Sequence, residues 1–289
     1  MLYIHSFSSI EQELFQFVKY AKKNVTQLNG SLPFDLDYLE RQLYISPSKT
    51  LLYSFLDYSK YSYLDSFKRE VKNVELLVAF AKKNQFKNII LLSYPGVYVN
   101  SDNLFLQHKA EIENLVAKSE IPFTILSAQS IVSYETKKCS LQTLFYNEAE
   151  EQYVIPKKFS QIVYSIAIEN LAEITLKVSP TAYNNCYDLM DSVYELKDYL
   201  KALSPNTNIE RVSPLYLNFR SFLGNYLSPT MLDLFLRPTV PMYKSRAEKE
   251  FEIELVYPEI NLNEIKKEIK NPIEISSTGF YEKELNLAY

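Results

Sequence analysis

Short apolar runs alternate with amphipathic stretches of helical period through residues 1–150, and this alternation constrains the fold more than any other feature of the chain. Residues 2–6 read as a buried strand. Ser8 and Ser9, with Glu11 and Gln12 three residues on, form a helix-starting capping box. Ile10, Leu14, Phe17, Val18 and Ala21 then recur at helical spacing up to Lys22 and Lys23. Residues 24–28 predict a second strand, stopped by Asn29-Gly30, and Asp35 can cap a short helix carrying Leu36, Leu39 and Leu43. A third apolar run covers 50–55, and a long helix opens at Ser66 with Phe67, Val71, Val74, Leu77 and Phe80 on one face. Residues 88–93 are the most strand-like run, 103–118 read as a helix, and 123–126 as another short strand. Strands separated by helices of this length imply right-handed crossovers. The sequence therefore predicts an α/β protein built on a Rossmann-like, doubly wound parallel sheet.

The second half is less regular. Residues 161–171 and 193–203 read as helices, the latter opened by Ser192 with Glu195 three on, while 174–178 and 208–212 read as short strands. Pro214, Pro229, Pro238 and Pro241 interrupt the stretch from 213 to 245, and 250–256 alternates as an exposed strand would. The expected division is a Rossmann-like domain over 1–150 and a smaller C-terminal α+β portion over 151–289 that binds substrate or partner.

Composition removes several function classes. Hydrophobic residues make up 47% and charged residues 23% of the 289, enough to build a full core. The net charge is -4 with both signs interspersed, which leaves no basic field for a phosphate backbone, so no nucleic-acid partner is expected. No window approaches ~18 consecutive apolar residues, so no membrane span is expected. The N-terminus carries neither a basic region nor the apolar stretch of a signal peptide, and the expected location is cytoplasmic. Cys139 and Cys186 are isolated and read as reduced thiols. With His5 and His108 as the only histidines, a His/Cys zinc site lacks ligands. No G-x-S-x-G elbow accompanies either histidine, as a Ser-His-Asp triad on an α/β sheet would need.

A more specific pattern lies in residues 65–132. KNVELLVAFAKK at 72–83 runs into FKNIILLS at 86–93, and KAEIE at 109–113 leads to SEIPFTIL at 119–126. Together these resemble the middle of an atypical or extended short-chain dehydrogenase/reductase, in particular the NmrA-like group. There a helix ending in Ala-Lys, a strand ending in Ser, a Lys-containing helix and a Pro-Tyr-Thr-Ile-Leu-Arg segment follow in that order. The order of elements extends the resemblance over 1–150.

The resemblance implies a dinucleotide site, and the residues at its positions depart from the family. A pyrophosphate approaches a helix N-terminus closely only where the preceding turn carries glycines. The matching segment here is Ser6-Phe7-Ser8-Ser9-Ile10-Glu11-Gln12, and the first glycine of the chain is Gly30. Ser6, Ser8 and Ser9 stand where those glycines would hold the cofactor, and Asn29 stands where an acidic residue would read the ribose. None of the four glycines opens a phosphate-binding P-loop. The family's catalytic pair is Tyr-x-x-x-Lys on one helix face, the lysine lowering the pKa of a phenol that acts as acid or base. Lys109 fits the lysine, but Phe105 occupies the tyrosine position. Ser93 or Tyr94 falls at the family's serine, Ser127 replaces the arginine, and Tyr94 or Tyr98 could replace the missing phenol.

Each of these residues has a plainer reading beside the functional one. Lys109 can pair with Glu113 at i+4 on a solvated helix face. Ser93 can serve as a cap or turn residue. His108 can be an exposed helix residue rather than a proton shuttle. Tyr58, Tyr61 and Tyr63 can reflect a chain of 24 tyrosines rather than a binding surface.

The combined losses imply a degenerate family member: a non-redox binding, regulatory or scaffolding protein with no cofactor expected. The alternative is an NAD(P)-dependent oxidoreductase or epimerase of a sugar-nucleotide-like or quinone-like small molecule. It would use an atypical cofactor loop and Lys109, Ser93 and Tyr94 or Tyr98 as its polar groups. Dimers of this fold pair through two long helices, so the resemblance also implies a homo- or heterodimer through 66–83 and 103–118.

Overall fold

The computed structural model describes residues 1–5, 9–21, 25–28, 36–41, 43, 49–53, 64–97, 100–133, 136, 138–141, 145–147, 150–157, 162–213, 216, 251 and 253. All of them lie in the first of two compact units, Met1–Tyr257 and Pro258–Tyr289.

The apolar runs of the first half become strands β1 (Leu2–His5), β2 (Val25–Leu28), β3 (Thr50–Tyr53), β4 (Asn88–Ser93) and β5 (Phe123–Ser127). Every residue of β3, β4 and β5 is buried, as expected of parallel strands covered on both faces. With β11 (Asn185–Asp188) they form a six-stranded sheet in the order β11-β5-β4-β3-β1-β2, each neighbouring pair parallel. Between them run α1 (Ser9–Ala21), α2 (Leu36–Arg41), α3 (Leu64–Lys83) and α4 (Leu104–Ala117). The chain moves one way from β1 to β2 and the other way from β3 through β4 to β5. Right-handed crossovers therefore place α1 on one face of the sheet and α3 and α4 on the other. α3 packs on α4, and α4 on β4 and β5. The doubly wound Rossmann-like sheet expected from the sequence is the observed one.

A four-stranded sheet follows, β12 (Ser192–Glu195), β10 (Ile162–Ala167), β6 (Ser130–Ser133) and β7 (Lys138–Cys139), in that order. A three-stranded sheet orders β13 (Asn208–Val212), β9 (Gln152–Pro156) and β8 (Tyr146–Asn147). The strand expected at 208–212 is present. Residues 161–171 are not one helix, and 174–178 are not a strand. β10 passes directly into α5 (Ile168–Val178), which packs on α1, and β12 passes directly into α6 (Leu196–Leu203). Of the 250–256 segment, Phe251 is fully buried, its ring 4.9 Å from Tyr183 and 4.8 Å from Tyr187.

The start of α5 was invisible locally because its cap comes from elsewhere. Ala167 at the N-cap has no capping side chain, and Asp191 takes over the role from the start of β12. Its Oδ2 accepts from Ala167 N and Asn170 Nδ2, both at 2.6 Å, and its Oδ1 accepts from Ser192 Oγ at 2.8 Å. Burial raises the Asp191 carboxyl above the ordinary aspartate value, against the pull of those donors. The folded state thus binds this proton more tightly than the unfolded chain. The cost of burying the charge is full at neutral pH and is relieved as pH falls through the raised value toward the ordinary one. Relative to Asp191→Asn, the wild type is expected to gain stability over that acid window. Denaturant unfolding of the two at pH 7 and at successively lower pH checks this, and a difference that stays constant with pH sinks it.

Candidate functional site

β1 lies between β2 and β3, and the winding direction reverses there. In open α/β sheets ligands bind outside the carboxyl ends of the strands at such a reversal. α1 opens at Ser9, only four positions after the last residue of β1, so its N-terminal end follows closely on that end of the strand. Ser6, Ser8, Asn29, Tyr98 and the Tyr58, Tyr61 and Tyr63 cluster lie outside the described residues.

The wall beside the reversal is built by α4. Asn103 caps it, its Oδ1 accepting from Phe105 N at 3.0 Å and Leu106 N at 3.3 Å. Phe105 is fully buried, its ring 5.3 Å from Tyr94 and 6.5 Å from Phe67, both edge-on. One turn on, Lys109 Nζ donates to Glu70 Oε1 of α3 at 2.8 Å and lies 5.6 Å from the Phe105 ring centroid. Lys109 is 3% and Glu70 2% exposed, so the lysine is not on a solvated face as its Glu113 spacing suggested. Glu113 instead accepts from Ser93 Oγ at 2.7 Å.

These contacts fix the depth of each group. A right-handed crossover runs α4 antiparallel to β4, so Phe105, Lys109 and Glu113 descend by about 6 Å per step from the carboxyl end of the strand. Ser93 bonds to the lowest of the three, and Tyr94 packs against the highest. Ser93 therefore ties β4 to the body of α4, while Tyr94 stands at the edge of the sheet. Tyr94 also hydrogen-bonds to Gln129, whose Oε1 accepts from Tyr164 N at 2.8 Å. Burial pushes the Tyr94 phenol far above its ordinary pKa, with the Gln129 bond acting weakly against the shift. It stays neutral throughout the physiological range.

Other polar contacts join neighbouring elements. Ser127 Oγ lies 3.3 Å from Cys186 Sγ of β11. Glu13 of α1 accepts from Ser133 Oγ and, at 3.0 Å, from Thr136 Oγ1. His108 is largely buried, stacked on Phe67 at 4.8 Å with its Nδ1 3.5 Å from Glu111 Oε2, and is not the exposed residue expected. Among the described residues no group of three His, Cys, Asp or Glu could hold a metal ion.

Sequence reasoning did not single out Glu70, Gln129 or Glu13. Glu70 carried a signal: it falls one turn before Val74 in the apolar stripe of α3, where an acid demands a partner. Gln129 and Glu13 had none, since their partners come from distant segments.

No protein-family model matches the chain, and no curated protein matches its sequence. Solved structures match its fold. The human epimerase family protein SDR39U1 (isoform 2), solved with NADPH, superposes with a TM-score of 0.63 at 13% identity, covering 93% of this chain and 100% of its own. A nucleoside-diphosphate-sugar epimerase from Staphylococcus aureus gives 0.60 at 15% identity over 88% of this chain and 96% of its own. The triphenylmethane reductase of Citrobacter sp., complexed with NADP(H), gives 0.59 at 12% identity over the same shares, 88% and 96%. At such identities the likeness establishes the fold alone.

Proposed function

We propose that the chain binds an NAD(P)-type dinucleotide across the carboxyl ends of β1 and β3, as a degenerate, NmrA-like variant of the epimerase and reductase fold. The carrying observation is the reversal of strand order at β1 and β3, with α1 opening four positions after β1. A diphosphate placed there would meet the N-terminal end of α1, whose dipole favours an anion. The fold neighbours that contain NADPH or NADP(H) support the same reading. When bound, the group would supply hydride transfer, toward a sugar-nucleotide-like or quinone-like substrate in the oxidoreductase or epimerase form of this proposal.

On the nicotinamide side the chain departs from the resemblance. Phe105 has no proton to transfer, and the Lys109 ammonium is turned to Glu70. This arrangement supports a second reading, in which the protein binds without turnover and acts as a regulatory or scaffolding subunit. The pairing of two copies, or of this chain with a paralogue, through α3 and α4 belongs to the same proposal. Among the described residues no helix is long and apolar enough to cross a membrane.

A titration with NADH and NADPH, followed by nicotinamide fluorescence, is expected to saturate in the micromolar range. No binding up to millimolar concentration overturns the dinucleotide reading and moves the search to protein partners. With binding in hand, turnover of quinones or nucleotide sugars separates the enzyme from the binding subunit.

A further inference from the structure

We draw no further inference here: the strongest candidate, the open groove along α4 lined by Gln107, Glu111, Asn114, Leu115 and Lys118, carries nothing, because nothing in the structure shows what covers it.

Discussion

Lys109→Met is expected to lower the unfolding free energy by about 3–5 kcal/mol, because it removes the cation that faces the Glu70 carboxylate in the packed seam between α3 and α4. The two side chains are 4% and 2% exposed and meet at 2.8 Å. Each charge has been taken out of water, and the two are paired with one another. Removing one therefore costs far more than the pair contributes in total. The same logic predicts that Glu70→Leu combined with Lys109→Met returns most of the loss, since two apolar side chains can fill the seam without a desolvated charge. Urea unfolding of the two single variants and the double completes the cycle. A loss below about 1 kcal/mol for Lys109→Met is the range of exposed ion pairs and sinks the argument. Such a result means that water or another group reaches Glu70, and Lys109 then regains standing as a residue able to turn toward the crevice.

How far the sequence reveals this molecule depends on where each element finds its partners. β3, β4 and β5 were legible because parallel strands covered on both faces must be apolar at every position, and their residues are. α3 and α4 were legible because a long helix packed on a sheet needs a continuous stripe at helical spacing. The passage from β10 into α5 was not legible, and the reason is physical. Ile162 to Ile168 is an apolar run interrupted only by Ser165, three residues short of the helix, and the helix is capped by Asp191, a residue more than twenty positions away in the chain. Short-range signals cannot report a cap supplied from another strand.

The candidate site divides in the same way. The i,i+4 relation of Phe105 and Lys109 is local and was read directly, including the missing phenol. Which way Lys109 points was not readable, because Glu113 on its own helix and Glu70 on α3 compete for it. Packing decides that contest: the face of α4 that carries Lys109 is the face applied to α3. Gln129 could not be found from sequence, because its work is to join Tyr94 of one sheet edge to Tyr164 of the other sheet.

Phe105→Ala is expected to cost about 3–5 kcal/mol, the range for removing a fully buried aromatic ring whose surroundings cannot close over the gap. The ring is 0% exposed and bounded by Phe67, Tyr94 and the Lys109 side chain, elements held by separate contacts. Collapse would have to move α3, α4 and the end of β4 together, so the cavity stays open. Phe105→Tyr is the more informative partner. It restores the Tyr-x-x-x-Lys spacing on paper while adding a hydroxyl to a site that was packed without one. An unsatisfied buried hydroxyl costs about 1–3 kcal/mol. More importantly, a tyrosine there gains no activation, because the lysine one turn away has its charge committed to Glu70. The expected result for Phe105→Tyr is reduced stability in urea unfolding and no increase in NADPH oxidation with quinone or carbonyl acceptors. A gain of about tenfold or more, worth 1.4 kcal/mol of barrier, shows that Lys109 can leave Glu70 for a phenol. The buried ion pair would then be a resting position of a working catalytic lysine rather than its permanent one.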